Sequence, residues 1–233
     1  ISLQLTALQA QPDGIGIEQM AGIETRNATF NALIDRIERV AIRSTDPILL
    51  TGPTGAGKSV LAKRIFQLRQ SRHRVAGKFM AVNCATLRGD NAMSTLFGHV
   101  KGAFTGAVTP RAGLLREADG GVLFLDEVHR LDAQGQEKLF TWLDRKEIYR
   151  VGETAQGMPI SLRLVFATTE DIHSTFLTTF IRRIPILISL PDLQNRSRGE
   201  KEALTLQFFW QEARTLSARL QLTPRLLQVL THY

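Results

Sequence analysis

Apolar residues recur along the chain in two rhythms. Phe30, Leu33, Ile34, Ile37, Val40 and Ala41 fall three and four apart, which predicts an amphipathic helix that Asn27 can cap. Pro47 then opens an unbroken apolar run, Ile48-Leu49-Leu50, that reads as a buried strand. A glycine-rich turn follows, and helical spacing resumes through Val60, Leu61, Ile65 and Leu68. The alternation continues. Phe79–Val82, Val122–Leu125, Leu162–Ala167 and Ile186–Leu190 read as strands, and Ala133–Arg145 as a helix with Leu139, Phe140 and Leu143 on one face. Runs that are apolar throughout, rather than at every second residue, suit strands covered on both faces. Strands alternating with helices predict an α/β chain with a central parallel sheet flanked by helices. After Pro191 the strands stop. Glu200–Leu220 has helical spacing, and Thr223-Pro224 reads as a cap followed by a first-turn proline. Residues 1–20 carry weak signals and read as an N-terminal linker, and 192–233 read as a smaller helical subdomain.

Composition narrows this only slightly. The 233 residues are 43% hydrophobic and 22% charged, a globular balance that argues against a disordered, collagen-like or coiled-coil chain. Lys and Arg number 29 against 22 Asp and Glu, giving +7. That excess suits a phosphate-rich partner, but it is spread along the chain as a solvated surface would spread it. The single cysteine, Cys84, excludes an internal disulfide or a Cys-only zinc site and reads as a small buried residue. His73, His99, His129, His173 and His232 lack metal-ligand spacing and read as ordinary polar residues. No apolar run approaches the ~20 residues that cross a bilayer, and no secretory signal opens the chain.

Two motifs carry chemistry. Gly52-Pro53-Thr54-Gly55-Ala56-Gly57-Lys58-Ser59 matches the phosphate-binding pattern G-x-x-x-x-G-K-[ST], between a strand and a helix. The glycines let backbone N–H groups converge on an anion, and the helix N-terminus adds partial positive charge. Lys58 can reach the β- and γ-phosphates of ATP, and Ser59 can offer a hydroxyl to Mg²⁺. The second motif, Gly120-Gly121-Val122-Leu123-Phe124-Leu125-Asp126-Glu127, ends an apolar strand in two carboxylates, the Walker B pattern. Asp126 would hold Mg²⁺ and Glu127 would polarise a water for attack on the γ-phosphate. Between them lies Gly102-Ala103-Phe104-Thr105-Gly106-Ala107, a small-residue loop around an aromatic tip. Its chemistry suits either a knob that contacts a partner or a loop tucked against the core.

Gly102–Ala107, with Asn83-Cys84-Ala85, Leu96–His99 and Gly120–Glu127, resembles the AAA+ ATPase of bacterial enhancer-binding proteins, which activate the sigma-54 form of RNA polymerase. The resemblance runs from about Ala21 onward. Val128-His129-Arg130-Leu131, Gly135-Gln136-Glu137, Tyr149–Glu153 and Arg182–Pro185 are similar to the levanase-operon-regulator-like branch, whose members carry phosphotransferase-system regulation domains. Asn83–His99 also resembles the regulator of the RNA-terminal-phosphate cyclase operon.

The resemblance implies a cytoplasmic bacterial motor, residues 21–191, that assembles as a homo-oligomeric ring, usually a hexamer, with ATP between subunits. Gly22, Ile23 and Val60 join the phosphate loop as nucleotide contacts. Gly102–Ala107 engages sigma-54 in the RNA polymerase holoenzyme, chiefly through Phe104 and Thr105. Asn83 senses the γ-phosphate through Glu127. Thr169 stands where relatives carry a sensor asparagine, with shorter reach, Thr168 beside it is the other candidate for that role, and Arg182, or else Arg183, is the arginine finger for a neighbour's ATP. The family's sensor II arginine falls outside the chain, so 192–233 reads as a truncated helical lid. DNA contact belongs to a domain absent from this sequence. The alternatives are a nucleotide-gated binding module with little turnover and a different ring-forming remodelling ATPase.

Overall fold

The computed structural model describes residues 28–87, 89–153 and 157–192, together with Gln194, Lys201, Thr205, Arg225 and Val229. Asn27, Gly22, Ile23 and most of the expected lid lie outside the described residues. The chain divides into two compact units, residues 1–35 with 197–233, and residues 36–196. In the first, residues 28–35 are helical, as are Lys201, Thr205, Arg225 and Val229. The second carries the sheet.

That sheet has five parallel strands: β1 (Ile48–Thr51), β2 (Phe79–Asn83), β5 (Val122–Asp126), β8 (Arg163–Thr168) and β9 (Ile186–Ser189), in spatial order β2-β5-β8-β1-β9. The three inner strands, β5, β8 and β1, are the ones covered on both faces. Every residue of β8 is buried, and β1 and β5 are buried up to their last residue. The outer strands β2 and β9 are only partly covered, as sheet edges are.

Helices α1 (Ala28–Arg43), α2 (Lys58–Ser71), α3 (Gly89–Phe97) and α5 (Ala133–Arg145) are joined by the single turns α4 (Leu114–Glu117), α6 (Ile172–Thr175) and α7 (Thr178–Ile181). Two short antiparallel ribbons, β3 (Gly98–His99) with β4 (Arg111–Ala112) and β6 (Glu147–Ile148) with β7 (Met158–Pro159), complete the unit. On one face of the sheet Leu123, Leu125, Leu164 and Phe166 pack with Leu96, Phe97, Leu115, Leu139, Trp142 and Phe180. Phe166 and Phe180 meet edge to face at 5.4 Å between centroids. Each such side chain, fully buried, stabilises the fold by roughly 1.5–3 kcal/mol. Asp132 caps α5 by accepting a hydrogen bond from Gly135 N at 2.8 Å, and the helix stops at Lys146, which adopts φ 57°.

One charged residue lies inside this framework. Arg163 opens β8 at 2% exposure, where the spacing had begun a strand at Leu162. Its guanidinium donates to the carbonyls of Val40, Ala41 and Ser44 at the C-terminal end of α1, and Arg69 of α2 donates to Ala41 and Ser44 as well, at 2.9 Å each. Helix carbonyls without intrahelical partners and the negative end of the dipole attract cations there. Burial pushes Arg163 down to about 10, and the neighbouring charge of Arg69 pushes the same way.

Candidate active site

The strand register builds the site. At the carboxyl edge of the sheet, Asn83 of β2 stands opposite Asp126 of β5, and Thr51 of β1 stands opposite Thr168 of β8 and Ser189 of β9. The rows beneath are almost entirely apolar. The polar row is therefore confined to the edge where the loops leave, and ligands of open parallel sheets collect at that edge.

The phosphate loop leaves β1 at this edge. Gly57 sits at φ 95°, a left-handed conformation that a side chain would strain, with open space where a Cβ would project. No side chain caps α2, so the amides of its first turn are available to an anion. Lys58 is 6% exposed, and its Nζ donates to the carbonyls of Gly52 at 2.7 Å and Pro53 at 2.9 Å. An ammonium bonded to two loop carbonyls can exchange such neutral acceptors for anionic ones. Burial lowers the Lys58 pKa, while Glu127 and Asp126 oppose the shift. Pro53, Thr54, Gly55, Ser59 and Val60 are exposed, and Ala56 is buried.

Ser59, Asn83 and Asp126 line one open cleft of about 330 Å³, with Phe79, Val82 and Phe124. Structure thus brings the two candidate Mg²⁺ ligands to one cavity from positions far apart in sequence. Burial raises the Asp126 pKa; the amide of Glu127, Lys58 and His129 counteract this, and the charge of Glu127 adds to it. Serine hydroxyl, carboxylate and phosphate oxygens are the hard donors that Mg²⁺ takes.

Glu127 is held in an unusual way. It lies at φ 50°, ψ 44°, a left-handed conformation uncommon outside glycine and asparagine, immediately after β5. Its Oε2 accepts a hydrogen bond from Thr169 Oγ1 at 3.1 Å, and His129 Nε2 lies 3.4 Å from the same oxygen. The structure separates the two sensor candidates. Thr168 is fully buried, with its hydroxyl bonded to His129 Nδ1 at 3.0 Å and to Glu170 N at 3.1 Å, whereas Thr169 reaches the carboxylate. Asn83 Oδ1 is engaged elsewhere, accepting from Ala85 N at 2.8 Å.

The arginine pair also divides. Arg183 Nε donates to both carboxylate oxygens of Asp144, at 2.8 and 3.0 Å, and the guanidinium lies 3.7 Å over the Phe140 ring. Arg182 is exposed and makes no ion pair among the described residues. Gln136 ties the same region together, donating to Leu131 O at 3.0 Å and accepting from Leu177 N at 3.1 Å. Sequence spacing gives neither Gln136 nor His129 a role. The available signal was position: His129 lies two residues beyond the carboxylate that ends the strand motif.

The Gly102–Ala107 loop springs from the β3–β4 ribbon. Gly102 and Gly106 take φ 81° and 97°, and Gly102 N bonds Ala107 O at 2.8 Å, closing the loop at its base. Phe104 is half-buried, edge-on to the His99 ring at 5.0 Å. His99 is itself fixed, by Ser94 Oγ at 2.7 Å and Thr109 O at 2.8 Å. Thr105 and Val108 are exposed, so the loop presents a polar tip while its aromatic lies against its own stem.

No helix among the described residues is long and apolar enough to cross a membrane. The profile of the family described as the sigma-54 interaction domain matches residues 23–186. The transcriptional regulatory protein RtcR of Escherichia coli K12 is 56% identical over 153 residues, 66% of this chain and 29% of that protein. LevR of Bacillus subtilis 168 is 40% identical over 189 residues, 79% of this chain and 20% of that protein. Both regulators that the motifs resemble are thus among the relatives, and the chain spans less than a third of either. The crystal structure of NtrX from Brucella abortus with ADP superposes with a TM-score of 0.76 at 27% identity, over 93% of this chain and 47% of that one. The Thermotoga maritima RuvB K64R mutant shares the fold, with a TM-score of 0.53 at 21% identity. A five-stranded parallel sheet with a nucleotide loop at its carboxyl edge, and a family match over most of the chain, make one assignment: this chain belongs to the sigma-54 interaction domain family of AAA+ transcription activators.

Proposed function

We propose that this chain is the ATP-hydrolysing motor of a sigma-54-dependent activator. The observation that carries the reading is the convergence of Ser59 and Asp126 on one cleft, with Glu127 fixed in a left-handed turn beside it. ATP is the substrate. The amides of residues 55–59 and Lys58 Nζ bind its phosphates, and Val60 contacts the rest of the nucleotide. Ser59 and Asp126 would hold Mg²⁺, which would supply charge neutralisation at the phosphates. Glu127 accepts the proton of the attacking water and orients it in line with the γ-phosphorus. Thr169 holds that carboxylate by its Oε2. Asn83, in register with Asp126, senses the γ-phosphate through Glu127. A neighbouring subunit of a homo-oligomeric ring, in the hexameric arrangement, contributes Arg182, the exposed member of the arginine pair.

Hydrolysis would drive the Gly102–Ala107 loop, freeing Phe104 from His99 so that it and Thr105 meet sigma-54 in the polymerase holoenzyme. The test is phosphate release by the intact protein against protein concentration, with Glu127→Gln beside it. Turnover should rise more than linearly with concentration, and the variant should bind ATP while losing about 10²–10³-fold in turnover. Undiminished turnover in Glu127→Gln removes the carboxylate from the mechanism. ATP binding without turnover in the unmodified protein assigns a nucleotide-gated module instead.

A further inference from the structure

We propose that His129 is a positioning residue for Glu127, aiming its carboxylate through a Thr168–His129–Glu127 chain that links β8 to the turn after β5. The proposal rests on the reading of Glu127 as the base that activates water.

The His129 side chain is 4% exposed, between two functional groups. Its Nδ1 lies 3.0 Å from Thr168 Oγ1, and its Nε2 lies 3.4 Å from Glu127 Oε2. Hydrogen-bond accounting fixes the tautomer. Thr168 is fully buried, and its hydroxyl oxygen already accepts from Glu170 N at 3.1 Å. The hydroxyl proton needs an acceptor, and among the described residues His129 Nδ1 is the one it meets. Nδ1 is therefore the acceptor, and the ring proton sits on Nε2, facing the carboxylate.

That Nε2 is a buried donor without an aligned hydrogen-bond partner. It stands within ion-pair distance of Glu127 but short of hydrogen-bond geometry. An orphaned buried donor is costly, and realigning the Glu127 carboxylate toward it would satisfy it. Thr169 Oγ1 donates to the same oxygen at 3.1 Å. Both donors thus converge on Oε2 and leave Oε1 as the oxygen that takes the proton of water. The left-handed backbone at Glu127 sets the direction of the side chain, and the two donors set its rotation. Thr168, too buried to touch nucleotide, acquires a role as the residue that orients the histidine.

The two ring nitrogens can be tested separately. Asparagine places its amide near the Nδ1 position and glutamine near the Nε2 position. His129→Gln therefore keeps a donor toward Glu127, and His129→Asn keeps only the contact with Thr168. In the intact protein, His129→Ala should lower kcat for ATP hydrolysis about 10–100-fold, the scale of a misplaced catalytic group, with KM changed less than about threefold. His129→Gln should recover most of the loss, and His129→Asn should not. Wild-type kcat in His129→Ala overturns the proposal, as does recovery by asparagine and not glutamine, which marks a purely structural tie. If His129→Ala fails to fold, the comparison of the glutamine and asparagine variants decides alone. Glu127→Gln, measured alongside, separates the two readings: if it is impaired while all three histidine variants hydrolyse normally, Glu127 is the base and His129 does not position it; if it too is unimpaired, the reading of Glu127 fails first.

Discussion

Arg163 and Arg69 share one set of acceptors, and that redundancy makes a quantitative prediction. Replacing Arg163 by methionine removes its hydrogen bonds to the Val40, Ala41 and Ser44 carbonyls, yet leaves none of them without a partner. Val40 O still accepts from Ser44 N at 3.1 Å, and Ala41 O and Ser44 O still accept from Arg69 Nη1 at 2.9 Å each. The substitution also relieves the burial of two adjacent guanidinium groups and the unpartnered Nε of Arg163. Hydrogen bonds to charged groups contribute about 1.5–3 kcal/mol each, and the relief offsets part of that, so the single variant should lose only about 1–2 kcal/mol. Arg69→Met should behave alike. The double variant is different, because Ala41 O and Ser44 O then lose both guanidinium donors. Each orphaned carbonyl costs about 1–3 kcal/mol, so the double loss should exceed the sum of the singles by about 2–6 kcal/mol. Urea unfolding of the four proteins, followed by tryptophan fluorescence, measures this coupling. Additive losses would refute the shared-acceptor reasoning, and so would a single variant as damaged as the double. These residues lie at the amino edge of the sheet, opposite the nucleotide loop, so nucleotide affinity of the folded singles should be unchanged.

Three further outcomes test the site. Lys58→Ala should weaken ATP binding at least 100-fold in a fluorescent-nucleotide titration, the loss of a buried charge-assisted contact of about 3 kcal/mol; unchanged affinity would sink the phosphate-loop assignment. Thr105→Ala should leave ATP hydrolysis within about twofold, because Thr105 is exposed and does not line the cleft, while abolishing nucleotide-dependent capture of sigma-54 in a pull-down; retained capture removes the loop from the interface. Arg182→Ala should lower turnover about 10³-fold with ATP affinity retained, and mixing it with Lys58→Ala protein should restore activity if the arginine acts on a neighbour's nucleotide. No recovery in that mixture assigns Arg182 a role within its own subunit.

How much of this the sequence disclosed follows from where polar side chains can sit in a buried parallel sheet. Central strands must be apolar on both faces, so Ile48–Leu50 and Val122–Leu125 stand out as unbroken runs. Arg163 breaks that rule and is invisible to it, because its charge is satisfied by carbonyls of α1 more than a hundred residues earlier. The ribbons β3–β4 and β6–β7, at two residues per strand, are too short to show alternation. The site divides along the same line. Chemistry in a covered sheet is confined to the row where each strand ends, so motifs that end strands, Asp126-Glu127 above all, are readable one at a time. Which ends become neighbours is fixed by strand order, and no local pattern carries it. Placing β8 between β1 and β5 brings Thr169 to Glu127 across 42 residues and Thr168 to His129 across 39. With a different neighbour for β5, Glu127 would keep its motif and lose both donors. The carboxylate is thus specified locally and its contacts topologically, which is why Glu127 stands out in the chain as a candidate, Thr168 and Thr169 enter only through the family resemblance, and the approach of His129 to Glu127 does not show.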